Sequence, residues 1–444
     1  MEQKSVTEEM LKTYSDAYQN DPLRRMATLA FAKNDVKSAS FDQKNAFRMT
    51  RVFSVEVETL PVTNQEKSGR CWLFAATNVL REKIAKDLDL KNFELSQSYL
   101  AFWDKFERCN AFLENVIDTA HLPADDRTVS FLMESGVHDG GQWQMFVNIV
   151  KKYGLVPKSA YNETFQSSNT RAMNSLLNRA LKSAAARLRA MASAGKSSGE
   201  MRAEKDRTLQ KIYGFLCSCY TEPPKEFDFE FTDKNKVFHA DRDLTPKAFL
   251  EKYLPGFLDS FISIIHAPTQ DKPFDRTYTV RYLGNVAEGE KVVHLNLEMK
   301  DFKAAVIRQL EAGEIVWFGS DVGKHGEREK GVWDDSSYDA ALMSGLELDL
   351  TKAEALDLHF SAMGHAMCLT GVNLVNGKPD RWKIENSWGD QNGDKGYYVC
   401  SDSWFEKYVY QAAVRAEFLG EKAVLAKKEP LELSPWDPMG TLAD

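Results

Sequence analysis

Apolar periodicity changes once along this chain, and that change limits the folds open to it. Through Lys211 the apolar residues recur at helical spacing, while from Thr277 onward they gather in short strand-like runs. Leu73, Leu80, Ile84 and Leu88 form one stripe of a helix starting at Cys71, and further helices are expected near Leu95–Phe106 and Gly141–Tyr153. Ser5 or Thr7 can cap a first helix, with Glu8 and Glu9 in its opening turn and Pro22 beyond its finish. One strand is expected early, over Arg51–Glu58, where Phe53, Val55 and Val57 alternate with Ser54, Glu56 and Glu58. The later strands are Thr277–Leu283, Val292–Leu297, Glu314–Ser320, Gly364–Leu374, Arg381–Asn386 and Gly396–Cys400, interrupted by a helix around Phe302–Glu311. Helices first and strands last imply an α+β protein with two unlike lobes.

Between these lobes the composition shifts. Arg171–Lys211 carries ten Lys or Arg against Glu200, Glu204 and Asp206, inside a 444-residue chain of net charge −8. The break at Ser193–Gly199 makes the stretch a basic helical hairpin. It is either a solvated face or a contact surface for an acidic partner or a neighbouring subunit. The net charge argues against a dedicated nucleic-acid binder, leaving such binding as an unfavoured secondary role. Pro430, Pro435 and Pro438 give an extended tail, a strap rather than a core element. The first twenty residues hold no apolar signal-peptide core, and no run reaches the ~18 apolar residues of a membrane span. Six sparse cysteines fit a reduced, cytoplasmic protein. His359 and His365 are off metal-ligand spacing and no phosphate-binding glycine loop is present, so no metal and no cofactor is expected.

Cys71 stands where a loop containing Gly69 feeds a helix, a setting that favours the thiolate. Gln65, six residues earlier, can donate an amide hydrogen bond to a developing oxyanion. Most histidines have dull contexts. His121, His239, His266 and His325 are expected at the surface, His294 and His359 as half-buried structural residues. His365 opens an apolar strand, and Asn386 ends the next. An Asn oxygen can hold an imidazole in the tautomer that faces a thiol, and the indole of Trp388 can shield that bond from water.

Asn64-Gln65-x-x-x-Gly69-x-Cys71-Trp72, Gly364-His365-Ala366 and Asn386-Ser387-Trp388-Gly389 resemble, in order and spacing, the papain-like cysteine peptidases. Glu94-Leu95-Ser96-Gln97, Asp139-Gly140-Gly141-Gln142-Trp143 and Pro435-Trp436-Asp437-Pro438-Met439-Gly440 narrow this to the bleomycin hydrolase and bacterial aminopeptidase C family, across essentially the whole chain. The resemblance implies a papain-like fold of a helical lobe and a β-barrel-like lobe, with a large helical hook inserted. The expected divisions are a helical lobe over 1–165, the hook over 166–275, a β-rich lobe over 276–425 and an arm over 426–444 that enters the cleft. It further implies catalysis by Cys71, His365, Asn386 and Gln65, with Gly140, Gly141, Trp388, Ala443 and Asp444 contacting substrate. Peptides with a free N-terminus are the implied substrates, and a homo-hexamer the implied assembly. An endopeptidase is the alternative should the arm not gate the cleft. A transglutaminase-like acyl transferase generally has Asp where Asn386 stands.

Overall fold

The computed structural model describes residues 4–443. Its core sheet is antiparallel, with neighbouring strands in the order Val409–Arg415, Val316–Ser320, His365–Val375, Lys378–Glu385 and Tyr397–Ser401. Phe261–Ile265 extends it beyond Val409–Arg415, followed by Val293–Asn296, Arg276–Val280 and Leu431–Leu433. Helices Cys71–Asp87, Gln97–Asp118 and Trp143–Tyr153 form the other lobe, and the two helices Arg171–Ser193 and Ser198–Tyr220 form the hairpin between. This is the α+β, two-lobed arrangement with a helical insertion.

The strand from His365 to Leu369 shows how the layers are cemented. Ala366 and Cys368 face the core shared with the Cys71 helix, while Met367 and Leu369 face a second core with Trp382, Trp404 and Phe405. Alternation of side chains sends successive residues into opposite cores, so this strand is covered on both faces. Asn376-Gly377 closes the hairpin to the next strand, both residues at positive φ (52° and 74°), as a tight primed turn demands. Register then pairs Cys368 with Glu385, so that His365 and Asn386 come to the same end of the sheet.

Behind that end, Arg81 of the Cys71 helix reaches Glu385 at 2.9 Å, and Asn78 donates to the same carboxylate oxygen at 2.8 Å. Both partners are almost fully buried. Removing one member of such a pair typically costs about 3–5 kcal/mol, because the other is left as a buried charge. The pair therefore welds the helix carrying Cys71 to the strand preceding Asn386.

Several expectations need correction. Only Val55–Glu56 of the Arg51–Glu58 segment forms a strand, with the Val57 N–H adding one bond to Thr370 O, although side-chain burial alternates along the segment as expected. Pro22 opens a second helix, Pro22–Phe31, besides lying beyond the first, which Thr7 caps. The helix near Leu95 runs from Gln97 to Asp118, with Ser96 as its cap. Phe227–Thr232 and Phe238–Leu244 form an unforeseen two-stranded sheet, and Phe261–Ile265 and Val409–Arg415 are unforeseen core strands. The tail is extended only over Leu431–Leu433; Pro438–Ala443 winds into a 3₁₀ helix, because proline suits a first helical turn. His266 and His325 are half-buried, His294 is wholly buried and His359 is exposed.

The hairpin keeps much of its charge within the chain. Arg202 and Lys205 both pair with Glu114, Arg187 and Arg207 with Glu204, and Lys196 with Glu200, while Arg189 donates to the carbonyls of Thr119 and Leu122. Six of the ten basic residues are thus committed to internal partners, which weakens the reading of the hairpin as a free basic surface.

Candidate active site

The helix Cys71–Asp87 begins without a side-chain cap, since Arg70 stands at the capping position. Arg70 instead turns inward, almost wholly buried, and grips Glu163 with two nitrogens at 3.1 and 2.9 Å. With no side chain capping it, the N-terminal turn leaves its first N–H groups available to negative charge beside Cys71. Cys71 itself is buried, and its Sγ accepts from the Ala366 N–H at 3.4 Å, so the thiol lies against the start of the His365 strand.

His365 Nε2 lies 2.9 Å from Asn386 Oδ1. That oxygen also accepts from the Ser387 N–H at 2.8 Å, so Oδ1 is an acceptor and Nε2 must donate. The other ring nitrogen, Nδ1, is then free of its proton and able to take one. Trp388 covers the pair, its ring centroid 4.7 Å from that of His365. Gln65 is buried too. Its Oε1 accepts from Ser387 Oγ at 2.7 Å and its Nε2 donates to Ser68 O at 2.5 Å, leaving one N–H of the amide uncommitted.

Burial pushes the Cys71 thiol up to about 11 and His365 down to about 4, so neither favours carrying a charge alone. Passing the thiol proton to the imidazole creates both charges together. Each then stabilises the other, and the helix N-terminus and the Ala366 N–H add to the thiolate side.

Gly141 abuts the indole of Trp72: a Cβ there would sit 2.5 Å from a ring carbon, which only glycine avoids. Gly140 gives its carbonyl to Arg108. Beyond them the tail crosses the cleft. Gln142 Nε2 donates to Met439 O at 3.2 Å, and Thr441 Oγ1 donates to Met363 O at 3.0 Å, two residues before His365. Met439 and Leu442 are buried there. Ala443 ends this 3₁₀ helix, and Asp444 lies outside the described residues. A cavity of about 340 Å³ remains beside the tail, lined by Phe131, His138, Tyr282, His359, Trp436 and Thr441 among others.

The structure thus brings Gln65, Cys71, His365, Asn386 and Trp388 to one end of the sheet, with Gly141 beside Trp72. Sequence reasoning missed the supports: Arg70 with Glu163, Arg81 with Glu385, and the half-buried Asp139. The signal available was three charged residues within or beside the motifs, Arg70, Asp139 and Glu385.

A sequence profile of the Peptidase C1-like family matches residues 5–440. Aminopeptidase C of Lactobacillus delbrueckii subsp. lactis is 46% identical over 444 residues, covering 99% of each chain. Aminopeptidase C of Listeria monocytogenes is 43% identical over 442 residues, covering 99% of this chain and 100% of the relative. The crystal structure of PepW from a Lactobacillus rhamnosis strain superposes with a TM-score of 0.96 at 44% identity, covering 98% of this chain and 99% of that one.

Proposed function

This chain belongs to the Peptidase C1-like family of cysteine peptidases, and from that premise we propose that it is a thiol aminopeptidase releasing N-terminal residues from peptides. The observation that carries the reading is the convergence of Cys71 on the His365–Asn386 pair, with the tail lying across the same cleft.

The reaction follows from that arrangement. Cys71 Sγ attacks the scissile carbonyl carbon as its proton passes to His365 Nδ1, and a C–S bond forms. Asn386 holds the imidazole so that Nδ1 faces the thiol. The oxyanion is received by the Cys71 N–H and the uncommitted N–H of Gln65. His365 returns its proton to the departing amine, then takes one from water, which cleaves the thioester. Gly141, whose N–H and C=O have no partner among the described residues, is the better candidate of the two glycines for pairing with substrate backbone.

The tail supplies the exopeptidase character: it fills the cleft beyond the first substrate residue, and a terminal carboxylate at Ala443 or Asp444 captures the α-ammonium group. Amide hydrolysis of the bleomycin type belongs to the same proposal, as do a cytoplasmic setting and a hexamer linked through the hairpin. No described helix is long and apolar enough to cross a membrane. Sedimentation of the intact protein checks the assembly, with a single-protomer mass contradicting it.

The decisive experiment compares one peptide with a free and an acetylated N-terminus, mapping products by mass spectrometry. Stepwise loss of residues from the free peptide alone is expected; internal cleavage of both would identify an endopeptidase instead. A second expected result isolates the oxyanion donor. Removing one preorganised donor typically lowers kcat by ~10²–10³, so Gln65→Ala should show that loss with little change in KM. A kcat within about threefold of wild type would reduce Gln65 to a loop residue.

A further inference from the structure

Thr170, Asn174 and Asn178 recur every four residues at the base of the basic hairpin, an uncharged polar stripe on one face of its first helix. None of the three faces a neighbour of its own helix. Asn178 clasps the backbone of Val137, accepting from its N–H at 2.8 Å and donating to its carbonyl at 3.0 Å. Asn174 Nδ2 donates to Asp139 Oδ1 at 2.8 Å, and the Thr170 hydroxyl donates to Asp139 Oδ2.

Asp139 passes this hold on to the nucleophile. Its Oδ2 accepts from the Gly69 N–H at 3.0 Å, two residues before Cys71, and its backbone carbonyl accepts from Trp72 Nε1 at 2.6 Å, one residue after. Lys105, itself buried, completes the cluster at 2.6 Å. Burial alone would raise the Asp139 pKa, but the Lys105 charge and the donors from Asn174, Lys105 and Thr170 overcome it, and the carboxyl is held below the usual range. The fit has no slack: a Cβ on Gly69 would meet Asp139 Cβ at 2.8 Å, and one on Gly136 would meet Asn178 Oδ1 at 2.4 Å. The chain then runs directly from Asp139 into Gly140 and Gly141. One residue therefore ties together both flanks of Cys71, the glycine wall and the hairpin: its carboxylate holds Gly69 and the hairpin, and its backbone carbonyl holds Trp72.

We infer that Asp139 is a positioning residue for Cys71, and that the base of the hairpin sets its place through Thr170 and Asn174; this rests on the Cys71 reaction proposed above. The hairpin is then mechanically continuous with the active site. Any rotation of its first turns moves the Gly69 loop and the glycine wall together.

The test avoids stranding a buried charge. Thr170→Val with Asn174→Leu leaves the Lys105–Asp139 pair intact, and the Asn174 Oδ1 it removes is buried without a partner, so the double variant should fold. Sub-ångström misplacement of reacting groups is costly, so kcat on a free-amino dipeptide should fall about tenfold with KM within about twofold. Alkylation of Cys71 should slow by a similar factor, while Tm falls by a few degrees for the two lost hydrogen bonds and the protein stays folded at the assay temperature. Thr170→Ser, which keeps the hydroxyl, should match wild type, whereas Thr170→Val alone should lose part of the rate. A folded double variant with unchanged kcat, or a Thr170→Ser variant as impaired as Thr170→Val, would overturn the inference. Failure of the underlying reaction assignment would look different: a Cys71→Ala chain with full activity.

Discussion

Cys71→Ala should abolish peptide turnover while leaving Tm and assembly unchanged, a loss on the order of 10⁶-fold in kcat if the thiol is the nucleophile. Thermal unfolding and a dipeptide assay on the same preparation check both halves of the statement. Chemical labelling then distinguishes Cys71 from its five companions. Burial raises the pKa of Cys109 to about 12, and it raises Cys368, Cys400, Cys217 and Cys219 as well. A thiol with a raised pKa loses thiolate as pH falls, so all five react more slowly in acid. Cys71 alone has a proposed base, His365 Nδ1, to receive its proton. Its share of the label should therefore rise as pH is lowered from about 9 to about 6. A share that falls with pH, or substantial turnover by the alanine variant, would remove Cys71 from the reaction.

Deleting residues 440–444 should change what the enzyme accepts: the Thr441 and Leu442 contacts are lost with the cut, while the anchors at Trp436 and Asp437 lie before it. Lys272 pairs with Asp437 at 2.8 Å, both largely buried, and Trp436 lies against the Arg127 guanidinium at 3.6 Å. The shortened arm should stay docked while the cleft opens beyond Met439. A hydrogen bond to a charged group contributes about 1.5–3 kcal/mol, so kcat/KM for free-amino dipeptides should fall roughly tenfold to a hundredfold. Acetylated and longer peptides should become substrates, with internal cleavages in the product map. In the intact enzyme, capture of the amine should weaken as pH rises through its own pKa of ~7.7–8.0, since the ammonium form is the one attracted. Unchanged preference after the deletion would separate the tail from specificity.

The candidate site was legible in the sequence because each of its groups sits inside a local pattern: Gln65 and Cys71 six apart, His365 at the head of an apolar strand, Asn386 at the foot of the next. The helices carrying Cys71 and the hairpin were legible from periodicity for the same reason. Strands Phe261–Ile265 and Val409–Arg415 were not. Much of their length is buried on both faces, so the apolar-polar alternation that marks a strand is missing. The supports were not legible either. Arg81 and Glu385 are 304 residues apart, and Asp139 gathers donors from Gly69, Lys105, Thr170 and Asn174, pairings that no local spacing encodes. The tail misled because its prolines suit an extended strap and a helical first turn equally well.

The strand bearing His365 is covered by a core on each side, whereas the loop leading through Gly69 to Cys71 is retained by polar contacts, to Asp139 and Ser168 and through Gln65 and Arg70 to Ser387 and Glu163. Amide protons report such differences as free energies of local opening, which range from near zero up to that of global unfolding. The strand of His365 and the loop before Cys71 thus stand at different places on that scale. His365 is expected to exchange with the most protected backbone, and the loop before Cys71 more readily. Fluctuations that separate Cys71 from His365 are therefore expected to begin in the loop before Cys71 and to leave the His365 strand intact.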